Sequence, residues 1–319
     1  MPASVSVVIP AYGHADYVVQ AVESVLAQTL PPLEVIVVDD GSPDDTGERL
    51  APLAAAGRIR YVRQTNAGVA AARNHGASLA SGELLCFVDD DDLLLPHALA
   101  TLAEPAVARP ELALVYGQRV VFRDGAPPPA VPVPAPTGGA PCDWARFLMG
   151  NRIATPGQAP LRREAFTAVG GFDPAIWGAD DWDLWLRLLR RFAGVELPAT
   201  VMAYRVHGRN NSWHTARMWE QVCRVLRRHL PSAPAHARAA LARHAVGWYR
   251  DYLSRQAREQ LRRAVREGQW RRAAAALRLL LRMWLAEQRS RLALKASLLR
   301  RGGWRSPTEQ TLRHVVQEP

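Results

Sequence analysis

Residues 84–95 read LLCFVDDDDLLL, an apolar run, four consecutive aspartates and a second apolar run. The first run has no polar alternation, which suits a strand buried on both faces of a parallel sheet. The aspartates that follow are costly to hold together. At ~4 Å two unit charges repel by about 4 kcal/mol at an intermediate dielectric, so solvent or a cation must relieve them. On an extended backbone Asp89 and Asp91 share one face and Asp90 and Asp92 the other, so one pair can face a ligand and its metal. Hard oxygen donors in a partial shell suit Mg2+ or Mn2+. A solvated acidic loop is the plain alternative.

Working outward, the same grammar recurs. Residues 5–12 read VSVVIPAY and residues 35–42 read VIVVDDGS, with a further apolar run at 112–115. Between the first two runs, Val18, Ala21, Val22, Val25 and Leu26 fall on one helical face, with Asp16 placed to cap it and Pro31-Pro32 to close the unit. This order of strands and helices predicts a doubly wound, mostly parallel α/β sheet with helices on both faces. Such sheets bind ligands at the carboxyl ends of their strands, and the unusual residues cluster there. Asp39 and Asp40 end the second strand, where a carboxylate either accepts hydrogen bonds from a base or ribose or stabilises a turn. Asp180 and Asp181 open a helix whose Trp182, Trp185, Leu186 and Leu189 form an apolar face. A helix N-terminus favours an ionised carboxylate by about 0.3–1 kcal/mol. An aspartate there serves as a cap or, if a hydroxyl comes within reach, as a general base.

Charge divides the chain. Residues 1–215 hold 17 basic and 23 acidic residues, a net of −6, whereas residues 216–319 hold 23 and 7, a net of +16. We therefore expect an α/β domain over 1–215 and a basic helical region over 216–319. Residues 126–141 are too rich in proline for a helix or a central strand and read as an extended loop. The N-terminus lacks a basic stretch ahead of its short apolar run, no stretch approaches a membrane span, and Cys86, Cys142 and Cys223 show no metal-ligand spacing. Free thiols in the cytoplasm are the expectation. A nucleic-acid binder is disfavoured, since no binding motif accompanies the arginines and the acidic front would repel phosphates. A nucleotidyltransferase would need a Gly-rich, Arg/Lys-containing loop after the first strand, which PAYGHAD at 10–16 lacks.

Taken together, these segments resemble the family 2 glycosyltransferases, inverting enzymes with the GT-A fold. The resemblance covers about residues 4–212. It rests on VSVVIPAY (5–12), VVDDGSPDDT (37–46), NAGVAAARNHG (66–76), FVDDDD (87–92), GGFD (170–173) with ADDWDLWLRL (179–188), and YRVHGRNNS (204–212). It implies that Pro10, Ala11, Tyr12 and Asp40 hold the nucleotide base, with uracil expected, and that Arg73 contacts the base or the phosphates. FVDDDD corresponds to the family's D-x-D motif, with Asp91 on the metal and Asp89 or Asp90 beside the ribose. His207 would join the metal–diphosphate site. Asp181 would be the base, with Asp180 standing where the family usually has glutamate. The implied partners are a nucleotide-diphospho-sugar donor, Mn2+ or Mg2+, and a glycan or lipid-linked acceptor in surface polysaccharide or glycoconjugate synthesis.

The last third lies outside the resemblance. Leu277, Leu280, Leu281, Trp284 and Leu285 share a helical face, with Arg271, Arg278, Arg282 and Arg289 towards the other side. Such a helix either packs on its own domain or lies on an anionic membrane surface.

Overall fold

The computed structural model describes residues 4–132, 138–208 and 214–299 of the chain. The chain folds into two compact units, residues 1–142 with 153–210, and residues 143–152 with 211–319. Charge and composition place the boundary near 215, but they give no sign that residues 143–152 group with the later helices.

The first unit alternates strand and helix. In chain order it has β1 (Val5–Ala11), α1 (Ala15–Leu26), β2 (Glu34–Asp39), α2 (Thr46–Ala55), β3 (Arg60–Arg63), α3 (Val69–Leu79) and β4 (Leu84–Phe87). Then come β5 (Leu93–Leu94), α4 (Ala98–Ala108), β6 (Leu112–Arg123) and β7 (Ala140–Pro141). After α5 (Trp144–Met149), which belongs to the second unit, follow β8 (Leu161–Arg162), α6 (Arg163–Ala168), α7 (Asp180–Leu189) and β9 (Ala193–Val206). The strands form one sheet in the order β3-β2-β1-β4-β8-β6-β9-β5, with β7 beside β9. β3, β2, β1 and β4 run parallel, while β8 is antiparallel to β4 and β6.

Side-chain alternation explains why this sheet is covered twice. Val5, Val7, Ile9, Val35 and Val37 share a core with Val18, Val22 and Val25 of α1 and Leu99 and Leu102 of α4. Ile36 and Val38, one step out of phase, pack with Ala72 of α3. A strand feeding two cores shows no polar alternation, which is the pattern read at 5–9, 35–38 and 84–88. Gly76 lets α3 lie close on β1, because a Cβ there would sit 2.3 Å from Val8 Cγ1. That approach holds Arg73, one turn earlier, over the carboxyl ends of β1 and β4.

Some expectations need correction. Asp16 is not the cap of α1: the helix begins at Ala15, His14 stands at the cap position, and Asp44 accepts the Ala15 N–H at 3.1 Å. The β2 loop thus satisfies that helix end from outside. β3 and β9 carry no clear strand signal, since β3 is short with charged ends and β9 contains Pro198. The run at 112–115 is only the start of β6. The proline-rich stretch carries no regular element over 126–132, but its last two residues pair with β9, and 133–137 lie outside the described residues.

The second unit is helical: α5, α8 (Thr215–His229), α9 (Arg238–Arg266) and α10 (Trp270–Leu299). α9 buries Leu241, Ala245, Tyr249, Leu253 and Ala257, and α10 buries Ala273, Ala276, Leu279 and Met283. Gly268, at φ +67, turns the chain between them. The face containing Leu277, Leu281, Trp284 and Leu285 therefore stays in solvent, and only Leu280 of the expected apolar set is half-buried.

Candidate active site

The parallel strands reverse their order between β1 and β4, where a crevice opens beyond the strand ends. The chain brings its aspartate cluster there. Asp92 N–H donates to the Asp89 carbonyl at 3.2 Å, so residues 89–92 form a tight turn. The extended alternation expected for the four carboxylates therefore does not occur, and each aspartate takes a separate task.

Asp90 and Asp91, at the tip of the turn, face two histidines. Asp90 accepts the Tyr12 N–H at 2.9 Å through one oxygen and meets His14 Nδ1 at 2.9 Å through the other. Asp91 meets His207 Nε2 at 2.8 Å. The rings of His14 and His207 lie edge to face, 5.3 Å apart, and Tyr17 stands 5.0 Å from His207. One ligand atom from each of His14, Asp90 and Asp91 falls within 4.8 Å of the others. Burial, with the adjacent Asp91 charge adding to it, pushes the Asp90 carboxyl up to about 6, against the opposing pull of His14. A buried carboxylate, Asp90, beside the half-buried Asp91 and flanked by imidazoles fits a divalent cation. The mixed oxygen and nitrogen donors suit Mn2+ better than Mg2+.

Asp92 and Asp89 turn away from that cluster. Asp92 is fully buried and accepts the Arg205 N–H at 2.9 Å. Burial, then the charges of Asp91 and Asp89, hold its carboxyl well above the usual range. This contact pins the turn to β9 two residues before His207. The Arg205 guanidinium reinforces the join, donating to the Asp91 carbonyl and to Gln20 and lying over the Tyr17 and Phe122 rings.

Asp89 instead accepts from Thr155 and pairs with Arg73 at 2.5 Å. The other arm of Arg73 reaches Asp180 at 2.6 Å, and Phe172 covers the guanidinium. Burial opposes the arginine's charge, but Asp89 and Asp180 more than offset it and raise its pKa. Asp180 is raised too, by burial first, with Arg73 resisting and Asp89 adding to the rise. Arg73 thus joins the aspartate turn to the N-terminus of α7. Asp181, next along, is mostly buried and accepts the Trp182 N–H at 2.6 Å. It also lies near enough to Arg73 to add to the field holding that charge.

At the end of β2, Asp39 is buried against Tyr61, Arg63 and the Ser42 N–H. Asp40 accepts from Gln64 and from the backbone N–H groups of Ala67 and Gly68, at 2.7–2.8 Å. Three internal bonds occupy most of a carboxylate's roughly four acceptor directions, so little of Asp40 remains for a base. Its visible task is to shape the loop into α3. Pro10 and Ala11 are buried at the end of β1, and Tyr12 is half-exposed beside them.

Eight of the eleven residues singled out from the sequence thus fall into two neighbouring clusters, Tyr12, Asp90, Asp91 and His207 in one and Arg73, Asp89, Asp180 and Asp181 in the other. Pro10 and Ala11 precede Tyr12 on the chain, and Asp40 stands apart beyond the end of β2. Sequence reasoning missed His14, Tyr17 and Arg205. His14 had a signal, being an imidazole just beyond a strand end, in PAYGHAD.

Comparison with known proteins supplies the context. A model described as glycosyl transferase family 2 matches residues 6–170, and one described as glycosyltransferase like family 2 matches residues 143–229. An uncharacterised glycosyltransferase of Nostoc sp. is 29% identical over 219 residues, 66% of this chain and 67% of that one. Chondroitin synthase of Escherichia coli is 32% identical over 186 residues, 58% of this chain but 26% of the synthase. Three Rickettsia relatives are matched over only 14–15% of their length. Among solved structures, residues 1–349 of TarS from S. aureus in complex with UDP-GlcNAc align with TM-score 0.63 and 16% identity, covering 95% of this chain and 93% of that one. The mannosyltransferase PcManGT of Pyrobaculum calidifontis, in complex with GDP-Man and Mn2+, aligns with TM-score 0.58 and 22% identity, covering 94% and 88%. At these identities the structural matches establish the shared fold, the GT-A arrangement.

Proposed function

The chain belongs to glycosyl transferase family 2, and from that premise we propose that it moves a sugar from a nucleotide-diphospho-sugar to an acceptor hydroxyl with inversion. The observation that carries this reading is the juxtaposition at one strand-order reversal of the His14–Asp90–Asp91–His207 cluster and the Arg73-linked start of α7. One cluster suits a diphosphate with its cation, and the other suits a proton acceptor.

Asp90, Asp91, His14 and His207 would hold Mn2+ or Mg2+, which when bound neutralises charge on the leaving diphosphate. Tyr12, with Pro10 and Ala11, would line the base, and UDP is the nucleotide we favour. Asp181 takes the acceptor's proton as the acceptor oxygen bonds to the anomeric carbon. The bond from that carbon to the diphosphate oxygen breaks, and its electron pair leaves with the nucleotide. A single displacement inverts the anomeric centre. Asp180 is the weaker candidate for the base, because Arg73 already holds its carboxylate. Arg73 acts through Asp89 and Asp180 as a positioning residue.

The acceptor would be a glycan or a lipid-linked glycan in surface polysaccharide or glycoconjugate assembly. The similarity to a chondroitin synthase supports a polysaccharide product. The enzyme would work in the cytoplasm, peripherally at the membrane face.

The test is a panel of UDP-, GDP- and dTDP-sugars assayed for nucleotide release in the presence of Mn2+. Asp181→Asn should keep donor affinity while the rate of transfer or donor hydrolysis falls by about a hundredfold or more. An unchanged rate would remove Asp181 from the reaction.

A further inference from the structure

The second unit carries a surface that the candidate site, built wholly from the first unit, does not include. On α10, Trp270, Leu277, Leu281, Trp284, Leu285 and Leu292 are each between 41% and 69% exposed. At 100° per residue they fall within an arc of about 100° along one side of the helix. The opposite side, with Ala276, Leu279 and Met283, is buried, so this apolar stripe is not the helix's packing face. Arg271, Arg278, Arg282 and Arg289 run alongside it, all exposed. Large exposed apolar stripes of this kind mark a contact surface.

Charge decides what the surface contacts. The only carboxylate on α10 is Glu287, which is buried and paired with Arg250 and Arg291. A second copy meeting this stripe through the same face would set arginines against arginines, with no exposed acid on α10 and only Glu220 of α8 and Asp251 of α9 at its margin to relieve them. An anionic lipid surface supplies the missing negative charge and an apolar layer together. Two tryptophans within the stripe suit the headgroup level, where amphipathic rings settle. Among the described residues no helix is long and apolar enough to cross a membrane, so the helix would lie in the interface.

We propose that the outer face of α10, from Trp270 to Leu292 with its flanking arginines, docks onto anionic phospholipid. The leucines and tryptophans enter the acyl boundary, and Arg271, Arg278 and Arg289 meet the phosphates. This assignment stands on the second unit alone and holds whatever donor the first unit uses.

Co-sedimentation of the full chain with phosphatidylcholine vesicles, with and without phosphatidylglycerol, tests it. The chain should partition onto the anionic vesicles at low salt and release as salt rises. Arg278→Gln with Arg289→Gln should weaken that partition about thirtyfold at low salt. Both residues are exposed, so the fold should tolerate the change. Leu281→Ser with Trp284→Ser should weaken it about tenfold or more even where the arginines remain. Charge reversal elsewhere, at Arg58 and Arg123, should change it far less. Equal recovery with neutral and anionic vesicles would overturn the proposal. So would stripe variants that bind vesicles normally, or that abolish a dimer seen by sedimentation velocity and leave vesicle binding untouched.

Discussion

Arg73→Met is the substitution that most directly tests how the site is built. The guanidinium is almost fully buried between Asp180, itself buried, and Asp89, whose side chain is 25% exposed. Removing one partner of a buried ion pair costs about 3–5 kcal/mol. Asp89 can recover some hydration and Asp180 cannot, so we expect the lower end, about 3 kcal/mol, with most of the loss traced to Asp180. Arg73→Met combined with Asp180→Asn should then recover about half of it, because a neutral amide needs no counter-charge. The loss must also depend on pH. Burial already raises the Asp180 pKa while Arg73 restrains it, so without Arg73 it rises further. A carboxyl whose folded pKa exceeds its unfolded value adds stability that is fully present below the unfolded value and lost as pH rises through the folded one. The deficit of the variant should therefore be largest near neutral pH and shrink as pH falls through the raised value towards about 4. Urea unfolding followed by tryptophan fluorescence across that range measures it. A variant within about 0.5 kcal/mol of the parent at every pH, but unable to bind donor, would refute the bridge. It would instead restore the reading of Arg73 as a nucleotide ligand.

Two further outcomes follow from the aspartate turn. Activity should vanish in EDTA and return with Mn2+; His14→Ala should weaken Mn2+ binding, and apparent Mn2+ affinity should fall by at least about tenfold per pH unit below about 6, where Asp90 regains its proton; calorimetric titration of the metal checks both, and full activity in chelator would exclude the cation. Asp92→Asn should cost less than Asp92→Ala at neutral pH: its amide oxygen keeps the Arg205 N–H and it takes away a carboxyl that burial holds well above its usual range, against the cost of amide N–H groups placed where Asp92 Oδ2 has no hydrogen-bond partner; thermal unfolding should separate the two, since Asp92→Ala orphans the Arg205 N–H and costs about 1–3 kcal/mol.

The parallel half of the sheet was legible because it obeys one local rule. Each of β1, β2 and β4 is buried on both faces, so each centres on an apolar run broken only by Ser6 in β1, and a reader needs no partner strand to see it. β9 breaks that rule. Its buried and open positions mix along fourteen residues, it contains a proline, and it pairs with β6, β5 and β7. Its stability comes from neighbours far away in sequence, so no window of its own residues announces it. α10 shows the same limit from the other side. Periodicity found an apolar face, but Ala273, Ala276, Leu279 and Met283 were the residues that packed, the two alanines letting the helix approach its neighbour closely.

The site was legible in composition and opaque in direction. Carboxylates after buried strands announced a ligand end, and charge repulsion called for either solvent or a cation. Which aspartate does what depends on one hydrogen bond, from Asp92 N–H to the Asp89 carbonyl, that bends the segment. On a straight strand Asp90 and Asp92 would share a side. On the turn Asp90 meets His14, Asp92 goes into the core to hold β9, and Asp89 reaches back to Arg73. That division of labour explains the run of four. The two at the tip face the ligand side, and the two at the base tie the tip to β9 and to α7, the elements that carry His207 and Asp181. A substitution that breaks the tie at a base position, such as Asp92→Ala, should therefore displace a partner residue of the site while leaving the Asp90 and Asp91 carboxylates in place, which sets Asp89 and Asp92 apart from Asp90 and Asp91 by mechanism as well as by position.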